Sequence, residues 1–201
     1  MIESSARIKA DTGSRISCDM HVRSFDPVAG ERPLVLVLGS MPGIESLRAG
    51  EYYAHPRNTF WRILGDLGLC DPSDTYPLRI ASLKRANVAL WDVLATCQRI
   101  GSLDASIERE SEVPNDISAF LVEHPSLRAL YFNGSKAEQA FRAHIAAGLP
   151  PDQRESLTFQ RLPSTSPAHA IPYSQKFDAW RAILERLALN KRRPARLERP
   201  D

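Results

Sequence analysis

The chain is poor in several things, and each shortage narrows what it can be. Only three of its 201 residues are cysteine, Cys18, Cys70 and Cys97. They lie far apart, form no CxxC pair and have no histidine at ligand spacing, so zinc and iron–sulfur sites are not indicated and the three read as free thiols. No metal and no cofactor is expected. No apolar run approaches the ~20 residues that a membrane helix needs, and the opening "MIESSARIKADTGSR" lacks the continuous apolar stretch of a secretion signal. The default expectation is a cytoplasmic protein of a reducing compartment, making no membrane contact. A strong charge of one sign is also missing: the formal net charge is +2, so any face that binds a polyanion must come from local arrangement. There is no internal repeat and no low-complexity segment.

What is present suits one globular domain: 43% of the residues are hydrophobic and 25% charged. Residues 1–23 are polar and irregular and read as a flexible N-terminal segment. The domain proper spans 24–189, and 190–201 form a basic tail. In that tail "NKRRPARLERP" carries five cations and one acid, a pattern of a solvated terminus or of weak DNA contact.

Within the domain, "LVLVLG" (34–39) is a short apolar run closed by glycine, the pattern of a strand buried on both faces. "NVALWDVL" (87–94), "LRALYFNG" (127–134) and "SLTFQRLP" (156–163) are further strand candidates. Helical spacing marks "TFWRILGDLGL" (59–69), "NDISAFLVEHP" (115–125), "SKAEQAFRAHIAAG" (135–148) and "SQKFDAWRAILERLAL" (174–189). Strands alternating with helices predict an α/β fold, a three-layer α/β/α sandwich around a mostly parallel four-stranded sheet. Ligands in such sheets bind beyond the carboxyl ends of the strands. There the chain places Gly39, Ser40, Met41, Pro42 and Gly43, then Asp92, then Asn133, then "PSTSPAHA" (163–170).

The decapeptide "YYAHPRNTFW" (52–61) adds four aromatic rings, a histidine, an arginine and an asparagine. Together with "LWDVLATCQRIGSLDASI", "YFNGSKAEQAF" and "LPSTSPAHA", in that order, it resembles the hypoxanthine-DNA glycosylase-like branch of the uracil-DNA glycosylase superfamily over residues 24–187. That resemblance implies a monofunctional enzyme that hydrolyses the N-glycosidic bond of a deaminated base flipped out of DNA. The base is hypoxanthine, or else uracil or xanthine, in double- or single-stranded DNA. Action as a monomer is expected. A flipped base needs a snug pocket, an aromatic platform and groups that read its edge.

In many superfamily members the turn after the first strand carries a water-activating Asp or Asn. Here the turn Gly39–Gly43 has neither. The resemblance moves the role to Asn58, whose amide would orient water beside a cationic sugar, although an asparagine before a helix is also a favoured cap. His55 is expected at the scissile nucleotide or simply in a loop hydrogen bond. Tyr53 or Phe60 is the expected base platform; the two cannot be joined by Tyr52 and Trp61 on one face, because adjacent helical side chains point about 100° apart. Asp92 would read the base edge, as acceptor or as protonated donor, or sit in an ion pair. Asn133 lines the pocket or caps the next helix. Arg57 would meet a phosphate, and so would Ser164, Thr165 and Ser166 in a loop that continues through Pro167, Ala168 and His169 into the minor groove.

Other classes fit less well. Ser40, His169 and Asp92 could compose a nucleophilic triad, but "GSMPG" is not a G-x-S-x-G elbow. The same segment lacks G-x-G-x-x-G, which disfavours a dinucleotide fold. An idle damaged-DNA binding module is the alternative that keeps the pocket.

Overall fold

The computed structural model describes residues 20–191. Its central sheet holds four parallel strands in the order β3-β2-β6-β7, namely β2 (Val35–Gly39), β3 (Val88–Asp92), β6 (Ala129–Asn133) and β7 (Thr158–Leu162). All four match the expected strands to within two residues. β2, β3 and β6 are short and largely apolar, the edge strand β7 exposes Gln160 and Arg161, and alternate side chains of a strand face opposite sides of a sheet. Leu36 and Leu38 enter one core cluster and Val35 and Val37 the other. The uninterrupted "LVLVLG" is therefore the signature of a strand covered on both faces.

The first cluster is closed by α4 (Ile117–Glu123) and α5 (Ser135–His144), through Ile117, Phe120, Leu121, Ala137, Ala140 and Phe141. The second is closed by α2 (Phe60–Asp66), α3 (Tyr76–Arg85), α7 (Tyr173–Trp180) and α8 (Ala182–Lys191), through Phe60, Ile63, Leu64, Leu83, Trp180 and Ile183. Two cores on either side of one sheet make the expected three layers. Two shorter helices, α1 (Ile44–Ala49) and α6 (Pro151–Ser156), complete the α-helices of the described residues.

A second, antiparallel sheet, β1-β4-β5, was not expected. Residues 20–23, expected to be irregular, form β1 (Met20–Arg23) and pair with β4 (Leu94–Arg99) from Met20↔Arg99 to Arg23↔Thr96. Strand β5 is only Val113–Pro114. The expectations for residues 1–19 and for the tail after 191 lie outside the described residues. Since only Val93 separates the end of β3 from the start of β4, the chain bends there, and this bend ties the two sheets together beside the carboxyl ends of the parallel strands.

Candidate active site

Those carboxyl ends open into a cavity of about 1230 Å³. Every expected site residue except Phe60 lines it: Gly39 to Gly43, Tyr53, His55, Arg57, Asn58, Asp92, Asn133 and Ser164 to His169. Topology gathers them, because parallel strands end on the same side and each is followed by its loop.

The turn after β2 is held by the bend after β3. Val93 N–H donates to the Gly39 carbonyl at 2.9 Å and Leu94 N–H to the Ser40 carbonyl at 3.2 Å. Glycine is required at 39 by close approach: a Cβ there would lie 2.3 Å from Asp92 Oδ1 and 3.2 Å from Tyr53 Oη. The Asp92 carboxyl is thus pressed against the turn, 3% exposed, and its Oδ2 has no hydrogen-bond partner among the described residues. Burial, aided by the nearby Asp104 and opposed by Arg99, pushes its pKa up to about 8. A carboxyl with that pKa is mostly protonated at neutral pH, so it donates as well as accepts.

Tyr53 stands next to it. Its φ of 57° is left-handed backbone, which a tyrosine holds only where its surroundings enforce it. The Tyr53 ring stacks on Phe60 with centroids 3.8 Å apart and planes 19° from parallel. Phe60 is itself fully buried, braced edge-on by Trp61 and Trp180 at 5.1 and 5.6 Å. Phe60 as the exposed platform is therefore corrected: it backs Tyr53, and the Tyr53 ring belongs to the wall. Tyr52 and Trp61 are core residues, with Trp61 Nε1–H donating to the Tyr52 carbonyl at 2.9 Å.

Asn58 precedes α2 and serves it as a cap would, its Oδ1 accepting from Phe60 N–H at 3.0 Å. That bond fixes the amide while Asn58 still borders the cavity. His55 Nδ1 accepts from Arg57 N–H at 3.1 Å, so in the neutral ring the proton sits on Nε2. Arg57 is exposed at the rim.

Two expectations change in the 163–170 loop. Thr165 is 0% exposed: its hydroxyl accepts from Asn133 Nδ2 at 2.9 Å, its N–H donates to Asn133 Oδ1 at 2.9 Å, and its carbonyl accepts from Thr59 N–H at 3.1 Å. Thr165 is a buried anchor without access to a phosphate. Asn133, with its amide engaged there, does not cap α5, whose first turn follows Gly134 without a side-chain cap. Gly134 is needed where it stands, with φ 101° and Ser164 Cβ only 2.9 Å from the position of a Cβ. Beyond the anchor, Pro167, Ala168 and His169 are exposed.

The cavity also contains Asp104 and Lys136, which the sequence pattern did not single out. Ser40 Oγ–H donates to Asp104 Oδ1 at 2.6 Å across 64 residues of chain. Lys136, at the start of α5, pairs with Glu112, which His144 Nε2 also meets at 2.7 Å. The only local hint to Asp104 was an acid set among turn residues in "GSLDASI".

Residues 27–188 match the family model of the uracil DNA glycosylase superfamily. This chain belongs to that superfamily. Two relatives named hypoxanthine DNA glycosylase, from Methanosarcina barkeri and Methanosarcina acetivorans, are each 40% identical. The matches span 119 residues (59% of this chain, 74% of the relative) and 116 residues (57% and 72%) respectively. A solution NMR structure from Methanosarcina acetivorans, described as a candidate uracil DNA glycosylase, superposes with a TM-score of 0.69 at 32% identity. It covers 84% of this chain and 99% of its own. The turn after β2 has no carboxylate or amide, and Asn58 before α2, Asp92 ending β3 and Asp104 after β4 are among the polar residues that line the cavity.

Proposed function

We propose that the cavity takes a deaminated base flipped out of DNA, hypoxanthine foremost, and that water then hydrolyses its N-glycosidic bond without cutting the strand. The observation that carries this reading is the Asp92 carboxyl, buried at the end of β3 with Oδ2 unpartnered among the described residues, beside the Tyr53 ring on its Phe60 backing. A neutral carboxylic acid matches a lactam edge, its carbonyl accepting the base N–H and its O–H donating to the base carbonyl. An ionised carboxylate would accept twice and repel that carbonyl. A hydrogen-bonded carbonyl also withdraws electrons from the departing base as the C1′–N bond breaks.

Tyr53 supplies the face on which the base stacks, and Asn58 orients the attacking water. His55 offers Nε2–H to the scissile nucleotide. Arg57, Ser164 and Ser166 meet phosphates, while Pro167, Ala168 and His169 enter the gap that the base leaves. No amine is assigned as a nucleophile. The names of the two archaeal relatives support hypoxanthine; uracil and xanthine share the lactam edge and are the competitors. We read the protein as a monomer acting in the cytoplasm on duplex or single-stranded DNA.

The test compares base release from duplexes carrying deoxyinosine, deoxyuridine or deoxyxanthosine under single-turnover conditions. Hypoxanthine should leave fastest. Fastest release of uracil would reassign the substrate, and release of none would reject the activity.

A further inference from the structure

Besides Asp92, the cavity is lined by the carboxyl group of Asp104. Asp104 opens a 3₁₀ turn, Asp104–Ser106, in the connection that follows β4, and it lines the cavity. Its Oδ1 accepts from Ser40 Oγ–H at 2.6 Å; its Oδ2 carries no protein hydrogen bond among the described residues. Ser40 is buried, and its backbone is held by the β3–β4 bend. Arg99, 1% exposed, fastens the two segments: Nη2–H donates to the Pro42 carbonyl at 2.6 Å and Nε–H to the Gly101 carbonyl at 2.9 Å. Two stretches of chain are thus locked so that a serine hydroxyl, already donating to a carboxylate, keeps its lone pairs for another donor. A neutral asparagine amide orients water but takes no proton.

Resting on the glycosylase reading of this site, we propose that Asp104, acting through Ser40, is the base for the attacking water and fills the role for which the turn after β2 has no carboxylate. The C1′–N bond breaks with its electron pair going to the base. The water oxygen bonds to C1′ of the sugar cation while its proton passes to Ser40 Oγ and the Ser40 proton passes to Asp104. The protonated Asp104 returns that proton through solvent to the departed base, so the net change is addition of one water across the bond. Ser40 touches the water and is catalytic; Asp104 acts through it and is a positioning and relay residue.

The proposal gives the rate a shape in pH. Burial raises the Asp104 carboxyl above its ordinary value, while the Ser40 hydroxyl, Arg99 and Lys136 pull it back. Asp92 faces Asp104, Arg99 and the Tyr53 hydroxyl, and is held up near 8. A relay that needs Asp104 ionised and a reader that needs Asp92 protonated make a bell, rising with pH on the Asp104 limb and falling through about 8 on the Asp92 limb. Because the carboxyls interact, the limbs report the pair.

The experiment measures single-turnover release of hypoxanthine across pH for the wild type, Asp104→Asn, Ser40→Ala and the double variant. Alongside go thermal midpoints and binding to a duplex with a tetrahydrofuran abasic analogue. In Asp104→Asn the amide oxygen still accepts from Ser40, which preserves the fold. Its plateau rate should fall by at least ~30-fold, its acid limb should flatten, and analogue binding should stay within about twofold. Ser40→Ala should match it, and the double variant should be little worse than either, as expected for two members of one relay. Asp104→Asn at the wild-type rate, or slowed with its acid limb intact, would overturn the proposal while leaving the glycosylase reading standing. A wild type that releases no base from inosine, uracil or xanthine duplexes would overturn both.

Discussion

Asn58 does two things at once: Oδ1 accepts the Phe60 N–H at 3.0 Å, and the side chain borders the cavity. The roles separate by mutation. Asn58→Ala should lower the single-turnover rate about 100-fold and remove about 1 kcal/mol of stability, whereas Asn58→Asp should keep the midpoint and part of the rate. If Asn58→Ala loses stability alone, the residue only caps α2. Asp92 makes a prediction in pH. Its folded pKa of about 8 lies above the ordinary 3.8. Between those values the folded state keeps a proton that the unfolded chain has lost, so stability falls as pH rises through this window. The thermal midpoint should therefore decline from about pH 5 to pH 8, less steeply in Asp92→Asn. Base release should fall about tenfold per pH unit above 8 in the wild type and stay flat there in Asp92→Asn, whose amide cannot ionise. A wild-type profile flat to pH 10 would mean that Asp92 reads the base as a carboxylate or does not read it.

At the scale of elements, the 163–170 loop stands on one buried anchor. Asn133→Ala leaves the buried Thr165 N–H without its acceptor, which should destabilise the protein by about 1–3 kcal/mol and weaken lesion binding while wild-type-like helix content remains. Thermal denaturation and binding titration on the same sample check both. What the sequence disclosed about such elements follows burial. Strands β2, β3 and β6 were legible because both of their faces are covered, which leaves apolar runs, whereas the edge strand β7 exposes Gln160 and Arg161 and carries a weaker pattern. Strands β1 and β5 were not, since two to four residues at the edge of a small sheet carry too little pattern. Helix α3 was missed because "YPLRIASLKR" shows only a weak apolar stripe, with Leu83 its one buried side chain. At the site, the loops that follow parallel strands were legible from topology. The depth of Phe60 was not, because spacing along a helix does not say which ring lies in front. Nor was Asp104, whose partner Ser40 is 64 residues away.

For the whole molecule, a net charge of +2 leaves little long-range pull on DNA, so affinity should rest on a few phosphate contacts at the cavity rim. Arg57→Ala should then reduce the slope of log affinity against log salt by about one, measured on an abasic-analogue duplex between 50 and 200 mM salt. An unchanged slope places Arg57 outside the interface. Membership of the uracil DNA glycosylase superfamily, the buried Asp92 carboxyl and the Tyr53 wall converge on one claim, that this chain removes a flipped deaminated base by water alone. The most direct test incubates excess protein with a deoxyinosine duplex and follows free hypoxanthine and strand length together. The account predicts stoichiometric hypoxanthine release with the strand intact until alkali is added. Retention of the base, or direct strand cleavage with an adduct trapped by borohydride, would contradict it.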